Sequence, residues 1–338
     1  MPIAPPTLAA ADLAPFRAHG GRIAAARAAF GGADWIDLST GIAPWCYPAP
    51  AARDDRLPEP GELAYLEAAA GAAFRVPPGA CVVAVPGSDL AMRLLATILP
   101  GVAPAVVRPG YAGHAAAWPA ATPTAADALV EAAMASAGAH DLVVFASPAN
   151  PDGRIAEPAL VRALATRVTV VADEAFADPA PGLASLAVDE PERLVVLRSF
   201  GKFYGLPGIR LGFVVCGPGV AATLRALLGD WPVSSAAIAA GCAAYRDDAW
   251  RTAQAARIAA AGARLDAILG TAGLAVAGTA PLFRLVACED AEALFRHLAC
   301  HAILTRPFAD QPGRLRLGLP AEDAAFDRLA AALQKVRR

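Results

Sequence analysis

The sequence predicts an α/β protein, with a mostly parallel central sheet covered by helices and a smaller α+β region at the C-terminal end. Three observations carry this. Six short Val-rich apolar runs lie between residues 80 and 217, each of a length that suits a buried strand. Helical patterns alternate with them, as in a parallel sheet covered on both faces. After Pro218 the alternation stops and long helical segments precede two further strand-like runs.

In chain order the expected strands are 80–85 (ACVVAV), 102–107 (VAPAVV), 141–146 (DLVVFA), 168–172 (VTVVA), 193–200 (RLVVLRSF) and 211–217 (LGFVVCG). Helical patterns at 89–99 and 157–168 separate some of them. A long helical region follows over 233–269, interrupted near Arg246–Asp248, then strands at 281–287 and 314–319 and a last helix from Ala321. The implied organisation is an N-terminal arm over 1–40 that packs on the small domain or a partner subunit, a large domain over 41–220, and a linker helix with a small domain over 221–338.

Composition narrows the function classes. The 338 residues are 56% apolar, with a net charge of −2 and both signs spread along the chain. No basic face suits nucleic acid. The N-terminus lacks a basic region and is broken by Pro2, Pro5 and Pro6, so it does not read as a signal peptide. No apolar stretch suits a membrane helix, and a cytoplasmic protein is expected. The six cysteines form no CxxC pair and read as buried free thiols. His297, Cys300 and His301 have helical metal-ligand spacing, but no second cluster completes a site. The expectation is no metal, with Cys300 in the core and the histidines at a helix end.

One residue stands out. Of 29 Lys and Arg residues only Lys202 and Lys335 are lysines, and Lys202 lies in SFGKFYGLPGIRLGF (199–213). Arginine cannot serve as a nucleophile, whereas a desolvated lysine can. Other candidates sit where strands are expected to end, the ligand edge of such a sheet. Ser88 and Asp89 in PGSD open a helix whose N–H groups suit a phosphate, or are an ordinary helix start. Asn150 lies in the loop SPANPDG, which is otherwise a proline-rich turn. Asp173 ends a buried strand and needs a cationic partner, either a ring nitrogen or an arginine. Arg210 can grip a phosphate with two donors. A phosphate cup, an amide, a carboxylate, a lysine and an arginine together form the set that pyridoxal phosphate requires.

The motif S-F-G-K-F-Y-G-L-P-G-I-R-L-G resembles the fold-type I pyridoxal-phosphate enzymes, the superfamily that includes histidinol-phosphate aminotransferase, over nearly the whole chain. The resemblance implies that Lys202 carries pyridoxal 5'-phosphate covalently and that Asp173 pairs its ring nitrogen. It implies that Asn150 bonds the ring hydroxyl and that Tyr111, in RPGYAGH, lies against the ring. Ser88, Ser199 and Arg210, with the backbone around Ser88–Asp89, would hold its phosphate. Arg314, four residues before Gly318, takes the place of the substrate-carboxylate arginine, with Arg316 on the same side of the strand as the second candidate. Arg306, in AILTRPF, resembles an arginine that contacts substrate phosphate; its plainer reading is an exposed loop residue.

The N-terminal HGGRIAAAR and WIDLSTGIAPWCYP resemble the threonine-phosphate decarboxylases of cobalamin biosynthesis. That likeness implies decarboxylation of L-threonine O-3-phosphate to (R)-1-amino-2-propanol O-2-phosphate, with a histidinol-phosphate-type aminotransferase as the alternative. His19 would help bind the substrate phosphate, or simply enter a helix. The sequence departs from relatives at Ala43, where asparagine is common, and at Leu57, where aminotransferases place a tyrosine that reaches a neighbouring subunit's cofactor. A homodimer with active sites near the interface is expected. A cofactor-binding DNA regulator is disfavoured, because no basic recognition helix is present.

Overall fold

The computed structural model describes residues 12–52, 55–127, 140–178, 186–188 and 192–335. Residues 1–11 of the expected N-terminal arm lie outside that set. The chain opens with helices α1 (Ala14–Ala18) and α2 (Ile23–Phe30) and the short strand β1 (Ile36–Asp37). Helix α3 (Pro60–Phe74) begins at a capping box, in which the Glu59 N–H donates to Glu62 Oε2 at 2.8 Å and Pro60 takes the first position.

The alternating region follows: β2 (Cys81–Val85), α4 (Ser88–Ile98), β3 (Pro104–Arg108), α5 (Ala112–Ala117), β4 (Thr122–Ala125), β5 (Leu142–Ala146), α6 (Pro158–Ala165), β6 (Thr169–Asp173), β7 (Leu194–Ser199), α7 (Phe200–Phe203) and β8 (Gly212–Cys216). Seven of these strands form one sheet in the order β2-β8-β7-β6-β5-β3-β4. Strand β8 is antiparallel to both neighbours, and every other pairing is parallel. Val83, Val85, Val106, Val144, Val171, Val195 and Val214 are buried with Met92 and Leu95 in its core. The sequence reading omitted β4, whose TPTA carries Pro123 and is mostly exposed. Proline removes a ladder donor, so such a strand survives at a sheet edge, and β4 is terminal in the order.

Helices α8 (Pro218–Leu228), α9 (Ser235–Arg246) and α10 (Asp248–Thr271) come next. Helix α8 packs on β2 and α4, and α9 packs on α3. The larger compact unit therefore runs over Cys46–Ala255, past the expected boundary at 220. The smaller unit joins the described residues up to Trp45 to those from Ala256. It contains β9 (Ala275–Ala280), β10 (Phe283–Ala287), α11 (Ala291–Cys300), β11 (Ile303–Leu304), β12 (Arg306–Pro307), β13 (Arg314–Gly318) and α12 (Asp323–Gln334). Its antiparallel sheet has the order β12-β13-β10-β9, and β1 pairs in parallel with β11.

The topology positions the site. Strands β2, β3, β5, β6 and β7 run the same way, so their C-terminal ends share one edge of the large sheet. The antiparallel β8 begins at that same edge.

Candidate active site

At the end of β2 the chain turns through Gly87 (φ 93) into α4, whose first residue is Ser88. A Cβ on Gly87 would stand 2.5 Å from Nη2 of Arg210. Only glycine allows that contact, so the turn and the guanidinium touch directly. Arg210, just before β8, has φ 55, and its Nη1 donates to the Pro207 carbonyl at 3.1 Å. A non-glycine residue in the left-handed region costs of the order of 1–3 kcal/mol and persists where the surroundings hold it. Ser199 ends β7 and is buried. This corner offers helix N–H groups, a hydroxyl and a guanidinium to an anion.

Lys202 lies in α7, one short turn beyond Ser199, with Nζ 5.7 Å from the centre of the Phe176 ring. Asp173, the last residue of β6, is buried. Its Oδ1 accepts the Ala175 N–H at 3.0 Å, and its Oδ2 lies 3.0 Å from Nε2 of the fully buried His114. With a carboxylate as partner, Nε2 carries the histidine proton. The arginine considered for Asp173 pairs one residue further on. Arg198 Nη1 donates to Glu174 Oε2 at 2.8 Å and Nη2 donates to Asp178, inside the protein. These two carboxylates hold the Arg198 guanidinium charged against the desolvation that burial imposes. The Tyr111 hydroxyl donates to Asp89 Oδ1 at 3.0 Å, and burial, with Asp89 beside it, pushes the phenol up to about 12.

All eight residues singled out for a cofactor line one cavity of about 330 Å³: Ser88, Asp89, Tyr111, Asn150, Asp173, Ser199, Lys202 and Arg210. Across the sheet, β2, β8 and β7 supply the anion corner and the lysine, β6 the acid, β5 the amide and β3 the aromatic ring. Pyridoxal phosphate needs an amine for its aldehyde, an acid for its ring nitrogen, donors for its phosphate and a flat face for its ring. The contact of Gly87 with Arg210 and the buried, histidine-backed Asp173 meet these needs, so the residues fit the group.

His114 was missed by sequence reasoning, although Tyr111-x-x-His114 has the spacing that places two side chains on one helical face. Phe176 was missed too; it was visible only as part of ADEAF.

In the smaller unit the structure groups Arg306 with Arg316 rather than with Arg314. Arg306 and Arg316 are register partners across β12 and β13, whereas Arg314 faces Ala287. Arg316 is buried and donates to the Ser39 carbonyl at 2.8 Å. Burial and the neighbouring Arg306 lower Arg316 to about 9, against a smaller opposing pull from Asp37. Arg306 donates to the Ala18 carbonyl at 2.9 Å. The next residue, His19, is exposed, and the Gly21 N–H donates to Ser39 Oγ at 2.7 Å. His19, Arg306 and Arg316 thus frame one region. Of the two departures, Ala43 is buried in the smaller unit and Leu57 is exposed on the larger.

The cysteine expectation needs correcting. All six thiols are free, but of the six only Cys216 is buried: Cys81, Cys242 and Cys288 are half-buried and Cys46 and Cys300 are exposed, Cys300 because it falls on the outer side of α11 at its last turn. His297 Nε2 is bonded to the Ala332 carbonyl at 2.9 Å and His301 Nδ1 to the His297 carbonyl at 2.9 Å. Among the described residues no cluster suits a metal, and no helix is long and apolar enough to cross a membrane.

Fold and cavity together define an α/β enzyme whose strand-end cavity is lined by Lys202, Asp173 and Arg210. A family profile described as aminotransferase class I and II matches residues 82–333. The chain is 40% identical to a threonine-phosphate decarboxylase from Pseudomonas aeruginosa, over 93% of this chain and 96% of that one. It is 38% identical to one from a Sinorhizobium species, over 94% and 98%. Among solved structures, histidinol-phosphate aminotransferase from Sinorhizobium meliloti in complex with pyridoxal-5'-phosphate superposes with a TM-score of 0.76 at 25% identity, covering 88% of this chain and 90% of that one. The chain belongs to the class I and II aminotransferase family.

Proposed function

We infer that the protein is a pyridoxal-phosphate-dependent carboxy-lyase that converts L-threonine O-3-phosphate to (R)-1-amino-2-propanol O-2-phosphate in cobalamin biosynthesis. The observation that carries the reaction is the near full-length similarity to two threonine-phosphate decarboxylases. The aminotransferase reading is weaker, since histidinol-phosphate aminotransferases match at 34% identity over only 65% of this chain.

Bound pyridoxal phosphate supplies an electron sink for the pair left on the substrate Cα when carbon dioxide departs. Lys202 is the attachment point, and its Nζ returns a proton to Cα after the loss of carbon dioxide. Asp173, held by His114, keeps a proton at the cofactor's ring nitrogen. Asn150 bonds the ring hydroxyl, and Tyr111 covers one ring face. Arg210, Ser199 and the N–H groups at Ser88 and Asp89 hold the cofactor phosphate. Arg306, with His19 nearby, binds the substrate phosphate. For the substrate carboxylate, Arg316 takes the role first expected of Arg314. A buried arginine lowered by a second cation gains most from an anionic ligand.

The protein works as a cytoplasmic homodimer. The six free thiols suit a reducing compartment. Exposed Leu57 and Trp231 line one groove on the larger unit with Leu63, a surface that suits a second subunit. Sedimentation equilibrium measures that association.

The reaction is tested by incubating the purified protein with threonine phosphate and measuring carbon dioxide with and without a 2-oxo acid. Release without an acceptor is expected. A strict need for an acceptor would overturn the lyase in favour of the aminotransferase.

A further inference from the structure

A carboxylate at an anion-binding helix start is a puzzle, because it repels the phosphate that the N–H groups attract. Asp89 stands there, in the first turn of α4. Its Oδ2 accepts from Arg93 Nε, one turn on, at 3.2 Å, which offsets part of its charge. Its Oδ1 takes the hydroxyl of Tyr111 at 3.0 Å, across 22 residues of chain.

Tyr111 is fixed at two further points. A Cβ on Gly113 would stand 2.3 Å from Tyr111 Cε1, so the ring edge rests against the glycine backbone where no other residue fits. His114 meets the ring edge-on, with centroids 5.6 Å apart and planes at 88°. The hydroxyl is the only one of these points that fixes the tip of the ring. With burial and Asp89 holding the phenol up at about 12, it remains a donor throughout the ordinary pH range.

We propose that Asp89 is a positioning residue, whose side chain pins the hydroxyl of Tyr111 and thereby sets the angle at which the Tyr111 ring meets the cofactor. The proposal rests on the reading of this cavity as a pyridoxal-phosphate site. A residue that only stabilised the start of α4 would act independently of Tyr111. A pin acts through it, so the two side chains must show coupling.

The test is a double-mutant cycle on the holoenzyme with Asp89→Ala, Tyr111→Phe and the pair, plus Asp89→Asn, which keeps the acceptor. The readouts are the circular dichroism of the bound cofactor in its visible band, the rate of cofactor loss, and kcat and KM separately. Each single variant is expected to diminish the dichroic band and speed cofactor loss by about tenfold, the size of one charge-assisted hydrogen bond. The double variant should be no worse than either single one, and Asp89→Asn, which keeps an acceptor for the hydroxyl, should retain more of the dichroic band than Asp89→Ala. Additive effects, or an unchanged band in Tyr111→Phe, would overturn the pin; Tyr111→Phe leaves the start of α4 intact, so a folding defect in Asp89→Ala does not blur the outcome. A wild type that takes up no cofactor would overturn the reading of the site itself, and the pin with it.

Discussion

His114 and Asp173 are bonded through Nε2 and Oδ2 at 3.0 Å, with the histidine fully buried and 59 residues away in sequence. The acid at the end of β6 is therefore backed by an imidazole N–H rather than by an arginine. An arginine in that position would compete with a protonated ring nitrogen for the same carboxylate. The cation that the neighbourhood does contain, Arg198, is taken by Glu174 and Asp178.

This arrangement predicts a graded response. Asp173→Asn should fold normally and lose turnover by several orders of magnitude, because the charge that stabilises the ring proton is gone. His114→Leu removes one hydrogen bond to that charge, worth about 1.5–3 kcal/mol, or roughly tenfold to a hundredfold in rate. Steady-state kcat of the two variants measures this. A larger loss in His114→Leu than in Asp173→Asn would reverse the assignment.

Lys202 should carry the cofactor. Borohydride reduction of the holoenzyme followed by peptide mapping is expected to place the pyridoxyl group on the peptide that contains Lys202. A label on Lys335 would refute the assignment.

Much of the larger unit was legible in the sequence because Val-rich runs are long enough to report their burial and because strand ends attract polar residues of defined chemistry. Ser88, Asn150, Asp173, Lys202 and Arg210 follow from that logic. His114 does not, because a histidine in an alanine-rich segment gives no sign of what it faces across the sheet. Arg314 and Arg316 are alike in sequence; the pairing of β13 with β12 and the burial of Arg316 separate them. Strands β4 and β9 are mostly exposed, and TPTA and AVAGTA carry few of the large apolar side chains that report burial. Cys300 reads as apolar by type, and only helix phase reveals its exposure.

The Arg198–Glu174 pair is buried on both sides, with side-chain exposures of 6% and 2%. Arg198 is also paired with Asp178, so removing the arginine leaves two buried carboxylates without their shared cation. Arg198→Met should therefore lose about 3–5 kcal/mol of stability. Urea unfolding monitored by far-ultraviolet circular dichroism measures the shift in midpoint. A loss below about 1 kcal/mol, the range of exposed pairs, would mean that water reaches the site.

Thiol labelling should separate the cysteines. Burial raises Cys216 to about 12 and Cys242 to about 11, so at pH 8 both are almost wholly in the unreactive thiol form. Cys46, exposed on the larger unit, should react first with a chromogenic disulfide. Cys216 should react only after unfolding. Raising the pH towards 11 should speed Cys242 before Cys216, because the former reaches its thiolate sooner. Rapid labelling of Cys216 at pH 8 in the native state would contradict its burial.

The arginines of the smaller unit allow the sharpest division of labour. Arg306 and Arg316 face each other across β12 and β13, while Arg314 lies two residues away towards the end of the strand, where its Nη1 reaches the adjacent Gly313 carbonyl at 3.5 Å. If Arg306 reads the substrate phosphate, Arg306→Ala should lose most of the preference for threonine phosphate over threonine, a change of roughly tenfold to a hundredfold for one charge-assisted contact. If Arg316 holds the carboxylate, Arg316→Gln should weaken both substrates alike and leave the preference intact. Arg314→Ala should change neither by more than a small factor, since a half-exposed cation contributes little. Ratios of kcat/KM for the two substrates across the three variants decide the matter. A lost carboxylate effect in Arg314→Ala, with Arg316→Gln unimpaired, would return the role to Arg314. An unchanged preference in Arg306→Ala would move the phosphate site to His19.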